Sequence, residues 1–215
     1  MKNIFEEDKK FEPAPEGAQP ARLVWLVDLG THPDTYEGVT RYKHGIYLGF
    51  ELVGTHMEDG RPFLLGKTYN ATNGLYGPYA AKTSNLCAML KKWQGCDDKT
   101  ASKLNFIGKL AKIGAPAIVT VEHTPKRTDP TKINVNIESI KAYKGKETLL
   151  EPVNPVMIYS LGMDYPETMP QWMKLQIESC CEFNGGIPER ERSEEPLPEP
   201  PPNGPSKAFD DDIPF

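Results

Sequence analysis

Basic and tyrosine side chains occur close together in three stretches of the chain, and a fourth stretch is basic alone; this combination can hold an unpaired polyanionic strand. Cations neutralise phosphates, and flat rings stack on bases without reading their sequence. The candidate binding residues are Arg41, Tyr42, Lys43, Tyr47, Lys67, Tyr69, Tyr76, Tyr79, Lys82, Lys126, Arg127 and Lys132. The alternative for each tyrosine is packing in a core or loop, and for each basic residue it is an ordinary solvated surface.

A second candidate site is the peptide that ends the sequence, where three aspartates precede a short apolar group. The residues that would contact a partner are Asp210, Asp211, Asp212, Ile213, Pro214 and Phe215. Such a peptide fits an apolar pocket ringed by Lys and Arg on another protein. The alternative is a solvated acidic terminus, which has no need for Ile213 and Phe215.

Signals for catalysis are weak. The four histidines are scattered, and the glycines form no phosphate-binding loop of the known patterns. Glu122 and His123 lie near Asp129, but the end of a strand beside a charged turn commonly produces such neighbours. The cysteines, at positions 87, 96, 180 and 181, have no metal-ligand spacing and are predicted to be reduced thiols. We therefore predict no enzymatic activity, no cofactor and no metal site.

The charge is unevenly distributed, although the net charge is only −5. Residues 21–146 contain 18 Lys or Arg and 11 Asp or Glu, a balance of +7, whereas residues 147–185 and 186–215 each carry −5. A basic body followed by an acidic tail favours a polyanion partner for the body. The tail is then able to compete for the same surface.

Strands and helices that could position these residues follow from periodicity. Alternating or continuous apolar runs predict five strands, and helical spacing behind a Ser or Thr cap predicts two helices between the third and fourth strands. The strands are Ala21–Leu29, Ile46–Val53, Phe63–Ala71, Ala117–His123 and Lys132–Tyr143; the helices are Ser84–Trp93 and Ser102–Ile113. Residues His32–His44 are predicted to be a polar loop, and Trp25 and Trp93 to be core residues.

This order predicts a mainly β fold, a five-stranded OB-type Greek-key barrel with a helical insertion between strands 3 and 4. A different small β-barrel or an α+β sandwich would give a similar order. Four regions result: an irregular lead-in (1–20), the barrel (21–146), an extension with a short helix after Pro170 that packs on the barrel (147–184), and a disordered Pro/Glu-rich acidic tail (185–215).

The sequence contains no apolar run of membrane-spanning length and its first ten residues lack a signal-peptide core, so we expect a cytoplasmic protein with no membrane partner. Whether it forms a homo-oligomer stays open.

Four segments resemble bacteriophage-encoded single-stranded DNA-binding proteins with an OB fold. They are Ala21–Gly30 (ARLVWLVDLG), Ile46–Leu52 (IYLGFEL), Leu90–Trp93 (LKKW) and Ala115–His123 (APAIVTVEH). The similarity spans about residues 15–180, and the terminal peptide resembles the tip of bacterial single-stranded DNA-binding proteins (SSB).

The resemblance implies a protein that coats single strands during phage DNA replication or recombination, in the host cytoplasm, and recruits replication and repair enzymes through its tip. Two alternatives remain. The chain could be an interaction or decoy protein that binds the receptors of SSB tips with the barrel only as a scaffold, or it could be a recombination annealing protein.

Overall fold

The computed structural model describes residues 12–71, 84–101, 113–145 and 151–186. In these ranges six strands and three α-helices follow one another. They are β1 (Gly17–Tyr36), β2 (Val39–His56), β3 (Pro62–Ala71), α1 (Asn85–Gln94), α2 (Asp98–Ala101), β4 (Pro116–Pro125), β5 (Ile133–Ala142), β6 (Met157–Tyr159) and α3 (Gln171–Glu178), with a 3-10 turn at Cys181–Phe183. The predicted helix Ser102–Ile113 lies, up to residue 112, outside the described residues.

The strands form one sheet in the order β3-β2-β1-β4-β5, with every neighbouring pair antiparallel. The short strand β6 joins it by pairing in parallel with β1. The prediction of a mainly β fold is therefore confirmed, and the sheet contains a sixth strand that was not predicted. No hydrogen-bonded ladder joins β3 to β5 within the described ranges, so the sheet is open there. Across this edge, Lys67 Nζ donates to the carbonyls of Ile137 (2.6 Å) and Glu138 (3.2 Å).

Strand β2 follows the predicted alternation. Its even-numbered apolar residues from Ile46 to Leu52 are fully or almost fully buried in the main core, which lies between the sheet and α1. Trp93 of α1 completes this core, as predicted: it is 3% exposed, its ring centroid lies 5.5 Å from that of Phe50, and its Nε1 donates to the Pro116 carbonyl. Helix α1 begins where predicted because the Ser84 hydroxyl accepts a hydrogen bond from the Cys87 amide.

Strand β1 departs from simple alternation. A register shift between Leu23 and Trp25 moves the inward positions, so that Leu23 and Leu26 both enter the main core. Val27 and Leu29 instead belong to a second core on the outer face of the sheet. Trp25 is half-buried against this second core, which corrects its predicted place beside the main-core residues. The continuous apolar run in β1 thus reflects burial on both faces.

Residues 151–186, called here the C-terminal extension, supply the other side of the second core. Its buried apolar residues are Met157, Tyr159, Met169, Met173 and Ile177. The predicted short helix after Pro170 is confirmed as α3. Only part of its apolar set docks on the sheet, however, because Trp172 and Leu175 are 49% and 55% exposed.

A buried ion pair fixes the beginning of the extension. Arg22 and Glu51 lie on neighbouring strands and are almost inaccessible to solvent, with Arg22 Nη2 2.9 Å from Glu51 Oε1. The same carboxylate accepts hydrogen bonds from the backbone amides of Val153 and Asn154 and from the Asn154 side chain. Glu51 therefore joins β1, β2 and the extension at one point.

No helix among the described residues is both long and apolar enough to cross a membrane. All four cysteines lie in the described part of the chain, and none of them forms a disulfide there.

Candidate nucleic-acid interface

The segment predicted to be a polar loop, His32–His44, is a two-stranded β-hairpin. Strand β1 continues to Tyr36 and β2 starts at Val39, so residues 31–44 form an arm that continues the β1–β2 ladder. The connection is a two-residue turn in which Glu37 and Gly38 have φ of 49° and 77°, as a type I′ hairpin requires. The arm is mostly exposed on both faces, so it shows no apolar alternation from which its strands could be predicted.

The arm separates its three predicted binding residues between two faces. Successive residues of a strand point to opposite faces, so Arg41 and Lys43 lie on one face and Tyr42 on the other. All three are exposed. Lys43 forms an ion pair with Asp34, which is also the register partner of Arg41. Arg41 has no ion pair with any residue that the structure describes.

The face of β2 that carries Arg41 and Lys43 continues along the strand to Tyr47. The register shift in this stretch falls in β1, between Asp28 and Gly30, and β2 pairs regularly with β3, so the odd-numbered residues of β2 from Val39 to Gly49 share one side of the sheet. We call Arg41, Lys43, Gly45 and Tyr47 the β2 outer face. At about 3.3 Å per residue, Lys43 and Tyr47 are separated by about 13 Å along the strand. Two cations and an aromatic ring thus follow one another on a single surface.

The side chain of Tyr47 does not project freely from this face. Its ring lies across Gly66 of β3, where an added Cβ would come within 1.8 Å of the tyrosine oxygen. Trp25 and Trp172 flank it, with ring centroids at 6.4 Å and 5.6 Å. Burial raises the pKa of Tyr47. The predicted exposed tyrosine is therefore half-buried in a row of three aromatic rings.

Two further predicted residues, Lys67 and Tyr69, share a face of β3 as expected, but this face is turned toward the main core. Tyr69 is 6% exposed, and burial raises its pKa to about 12. The ammonium of Lys67 lies 5.7 Å from the centroid of the Tyr69 ring and is hydrogen-bonded to β5. Both side chains thus have structural roles at the β3–β5 edge, away from the β2 outer face.

The basic turn between β4 and β5 lies far from the arm along the sheet. Strand β4 runs antiparallel to β1 and pairs with its first residues. The turn that follows β4 therefore lies beyond the beginning of β1, whereas the arm lies at the end of β1. Its predicted binding residues are Lys126, Arg127 and Lys132. Arg127 and Lys132 are exposed, and Lys132 lies 3.4 Å from Asp129. The structure does not bring this turn and the arm together on one end of the sheet.

The remaining candidates lie outside the described residues. They are Tyr76, Tyr79 and Lys82 after β3, and Asp210, Asp211, Asp212, Ile213, Pro214 and Phe215 at the tip.

A polar network that the sequence did not reveal attaches the base of the arm to the C-terminal extension. It consists of Asp28, Thr31, His44 and Glu182, and we call it the arm-base network. The Thr31 amide and hydroxyl donate to the two oxygens of Glu182 at 2.8 and 2.6 Å. His44 Nε2 lies 2.7 Å from Asp28, and its Nδ1 lies 2.9 Å from the Thr31 hydroxyl.

A charged His44 satisfies all of these contacts at once. When the Thr31 hydroxyl gives its hydrogen to Glu182, His44 Nδ1 can donate to Thr31 while Nε2 donates to Asp28. Burial by itself would lower the pKa of His44, but the hydrogen bond and charge of Asp28, together with Glu182, outweigh it and raise the pKa. Burial would likewise raise the pKa of Glu182, yet the hydrogen bonds from Thr31 lower it to about 2.

Glu182→Gln should reduce the free energy of unfolding by about 1–2 kcal/mol near pH 5.5, because a charged acceptor is lost from a partly solvated site. The lowered pKa of Glu182 stabilises the fold above about pH 4.5 and ceases to do so as the pH falls toward 2. The raised pKa of His44 stabilises it below about pH 6.5 and ceases to do so as the pH rises through that pKa. The network is thus strongest between these limits.

Urea unfolding measured from pH 3 to pH 9 checks this expectation. The exposed Glu167, changed to Gln, is the control for loss of one acidic charge in the same extension. Equal effects of the two substitutions across the pH series would contradict a specific role for Glu182.

Comparisons with protein-family models, with curated proteins and with solved structures gave no match to this chain.

Proposed function

We propose that this protein binds single-stranded DNA along the β2 outer face. The observation that carries the proposal is the alignment of Arg41, Lys43 and Tyr47 on one side of one strand, which supplies phosphate neutralisation and an aromatic surface in sequence. The body charge of +7 over residues 21–146 supports a polyanion ligand. The arm presents its cations in solvent, where a strand can reach them without any rearrangement of the core.

The strand order observed in the sheet is compatible with an OB-type barrel. An OB barrel adds a β3–β5 pairing to the neighbours found here, and Lys67 already links those two strands through the carbonyls of β5. We propose this closure as the complete architecture. In it, the arm connects strands 1 and 2 and is one of the loops through which OB folds hold oligonucleotides. The basic turn, which connects strands 4 and 5, lies at the other end of β1.

The function is tested by the affinity for labelled oligo-dT compared with a duplex of equal length, measured by fluorescence anisotropy on the full chain. We expect the single strand to bind far more tightly, because the bases of a duplex are already stacked and paired. The logarithm of the affinity for oligo-dT should also fall linearly with the logarithm of the salt concentration, with a slope of about 0.7 for each phosphate contact. Equal affinity for both DNAs would contradict the proposal.

We further propose that the terminal peptide recruits replication and repair proteins. Ile213 and Phe215 would enter an apolar pocket on the partner while Asp210–Asp212 pair with the cations around it. In the free protein the same aspartates are tethered to a basic body at an effective concentration near the millimolar range. The tail then competes weakly with DNA until phosphates displace it.

Two truncations separate these roles of the tail. Deletion of residues 210–215 should tighten oligo-dT binding modestly at low salt, and the gain should shrink as salt screens the attraction. Deletion of Phe215 alone should leave DNA binding unchanged but weaken capture of an enzyme that binds SSB tips by about 30-fold, the typical effect of losing an anchor residue. The proposal fails if the longer truncation has the same effect at low and high salt, or if capture survives the loss of Phe215.

A further inference from the structure

Trp172 is a large apolar side chain that the fold leaves half in water. It stands in the first turn of α3, beside Met173, which is fully buried. A helix of this kind ordinarily turns its apolar residues toward the core. The indole of Trp172 instead lies over the outer side of the sheet, with its ring centroid 5.6 Å from that of Tyr47 and the two planes inclined by 65°.

The sheet beneath the aromatic row carries glycine where side chains would interfere. Gly66 accommodates the ring of Tyr47, and Gly49 accommodates Trp25, since an added Cβ there would come within 2.7 Å of the Trp25 Cβ. Trp25 is further fixed by a hydrogen bond from Nε1 to the Pro155 carbonyl. The row Trp25, Tyr47 and Trp172 is therefore held by its surroundings, and Trp172 is the member that retains an accessible ring.

The position of this ring matches the proposed DNA path. Tyr47, which Trp172 contacts, is the last residue of the β2 outer face, and Lys43 lies about 13 Å before it on the same side of the strand. That span is several times the 3.4 Å axial rise per nucleotide of a stacked strand, so it leaves room for more than one nucleotide between Lys43 and the ring. A single strand whose phosphates contact Arg41 and Lys43 would bring its next bases to the indole.

We propose that Trp172, a residue of the C-terminal extension, stacks on an unpaired nucleobase of the DNA strand bound along the β2 outer face. This inference rests on the proposed function and adds a binding residue from outside the five principal strands. Stacking on an indole discriminates little among bases, so the ligand class is an unpaired base of any sequence. Leu175, three residues further along α3 and also exposed, provides an apolar border for the stacked base.

Intrinsic fluorescence provides a direct test, because the three tryptophans differ in exposure. Trp93 is 3% exposed and Trp25 is half-buried, so Trp172 is the indole that a base reaches most easily. Titration of the full chain with oligo-dT should quench part of the emission, and the Trp172→Phe variant should lose that quenching. An abasic oligonucleotide of equal length, which offers phosphates without bases, should leave the emission of the unmodified chain nearly constant.

Affinity is measured separately, by anisotropy of a labelled oligo-dT. Trp172→Phe should bind within about threefold of the unmodified chain, because a phenyl ring still stacks. Trp172→Ala should bind roughly 5- to 150-fold more weakly with an unchanged salt slope, as expected for one lost stacking contact. Met163→Ala, a truncation of an exposed apolar residue elsewhere in the same extension, is the matched control and should leave the affinity unchanged.

The outcomes distinguish this inference from the proposed function. The unmodified chain could bind oligo-dT while the emission of Trp172→Phe is quenched as before and Trp172→Ala keeps its full affinity. That result would show that the stacking role is wrong and that single-strand binding is right. If the unmodified chain binds no oligo-dT, both are wrong. If the Ala variant is destabilised, the quenching of the Phe variant still decides, since Phe keeps an aromatic ring on Tyr47. An indole that serves a protein partner instead would show no DNA-dependent quenching.

Discussion

Glu51→Ala should lower the free energy of unfolding by about 3–5 kcal/mol, the usual cost of removing one member of a buried ion pair. The substitution leaves the charge of Arg22 buried without its partner, and Arg22 Nη1 already has no hydrogen-bond acceptor among the described residues. It also removes the acceptor for the backbone amides of Val153 and Asn154. The beginning of the C-terminal extension should therefore separate from the sheet more readily.

Urea unfolding followed by circular dichroism measures the loss. Glu51→Gln should have a smaller effect, because its amide oxygen can still accept from the extension. Glu122→Ala removes an exposed glutamate from β4 and is the matched control, with an expected change within about 0.5 kcal/mol. A loss below about 1 kcal/mol for Glu51→Ala would show that the buried pair does not anchor the extension.

The sequence predicts correctly those strands and helices whose residue pattern is determined by one local interaction. Strand β2 has one face on the main core, so its apolar residues alternate from Ile46 to Leu52 and the predicted face was correct. Helix α1 has a capping serine, a stripe of buried residues and a left-handed glycine at position 95 after its last turn. In both cases neighbouring residues determine the local structure.

The arm and the second core depend on contacts that local pattern does not encode. The arm stands in solvent on both faces, so its strands lack the apolar alternation by which a strand is recognised. The bulge between Leu23 and Trp25 reverses the inward side of β1, and only the pairing with β2 reveals it. Glu182 lies 151 residues after Thr31, and no sequence spacing indicates that they are hydrogen-bonded.

For the candidate interface, residue type alone could not indicate which side of the sheet a residue faces. Arg41, Lys43 and Tyr47 lie on one face as a binding surface requires, whereas Lys67 and Tyr69 were equally suitable by type and are turned to the core. The short helix that carries Trp172 was expected only to pack on the barrel. The partial exposure of Trp172 depends on how α3 packs against the second core.

The double substitution Arg41→Ala and Lys43→Ala should have the largest effect on the salt dependence of DNA binding. Removal of two phosphate contacts should reduce the slope of log affinity against log salt by about 1.4, at about 0.7 per contact. When the two proteins bind equally at 1 M salt, this difference in slope makes the double variant bind roughly 60-fold more weakly than the unmodified chain at 50 mM salt. The fold should be unaffected, because both side chains are exposed on the arm.

The central claim is tested most directly by the salt dependence of oligo-dT affinity. It is measured for the unmodified chain, for this double variant and for a second double variant, Lys141→Ala with Lys144→Ala. The control pair removes the same charge from exposed positions on and just after β5. We expect the slope to fall by about 1.4 for the arm variant and by much less for the control. Equal reductions in the two variants, or an unchanged slope in the arm variant, would contradict DNA binding on the β2 outer face.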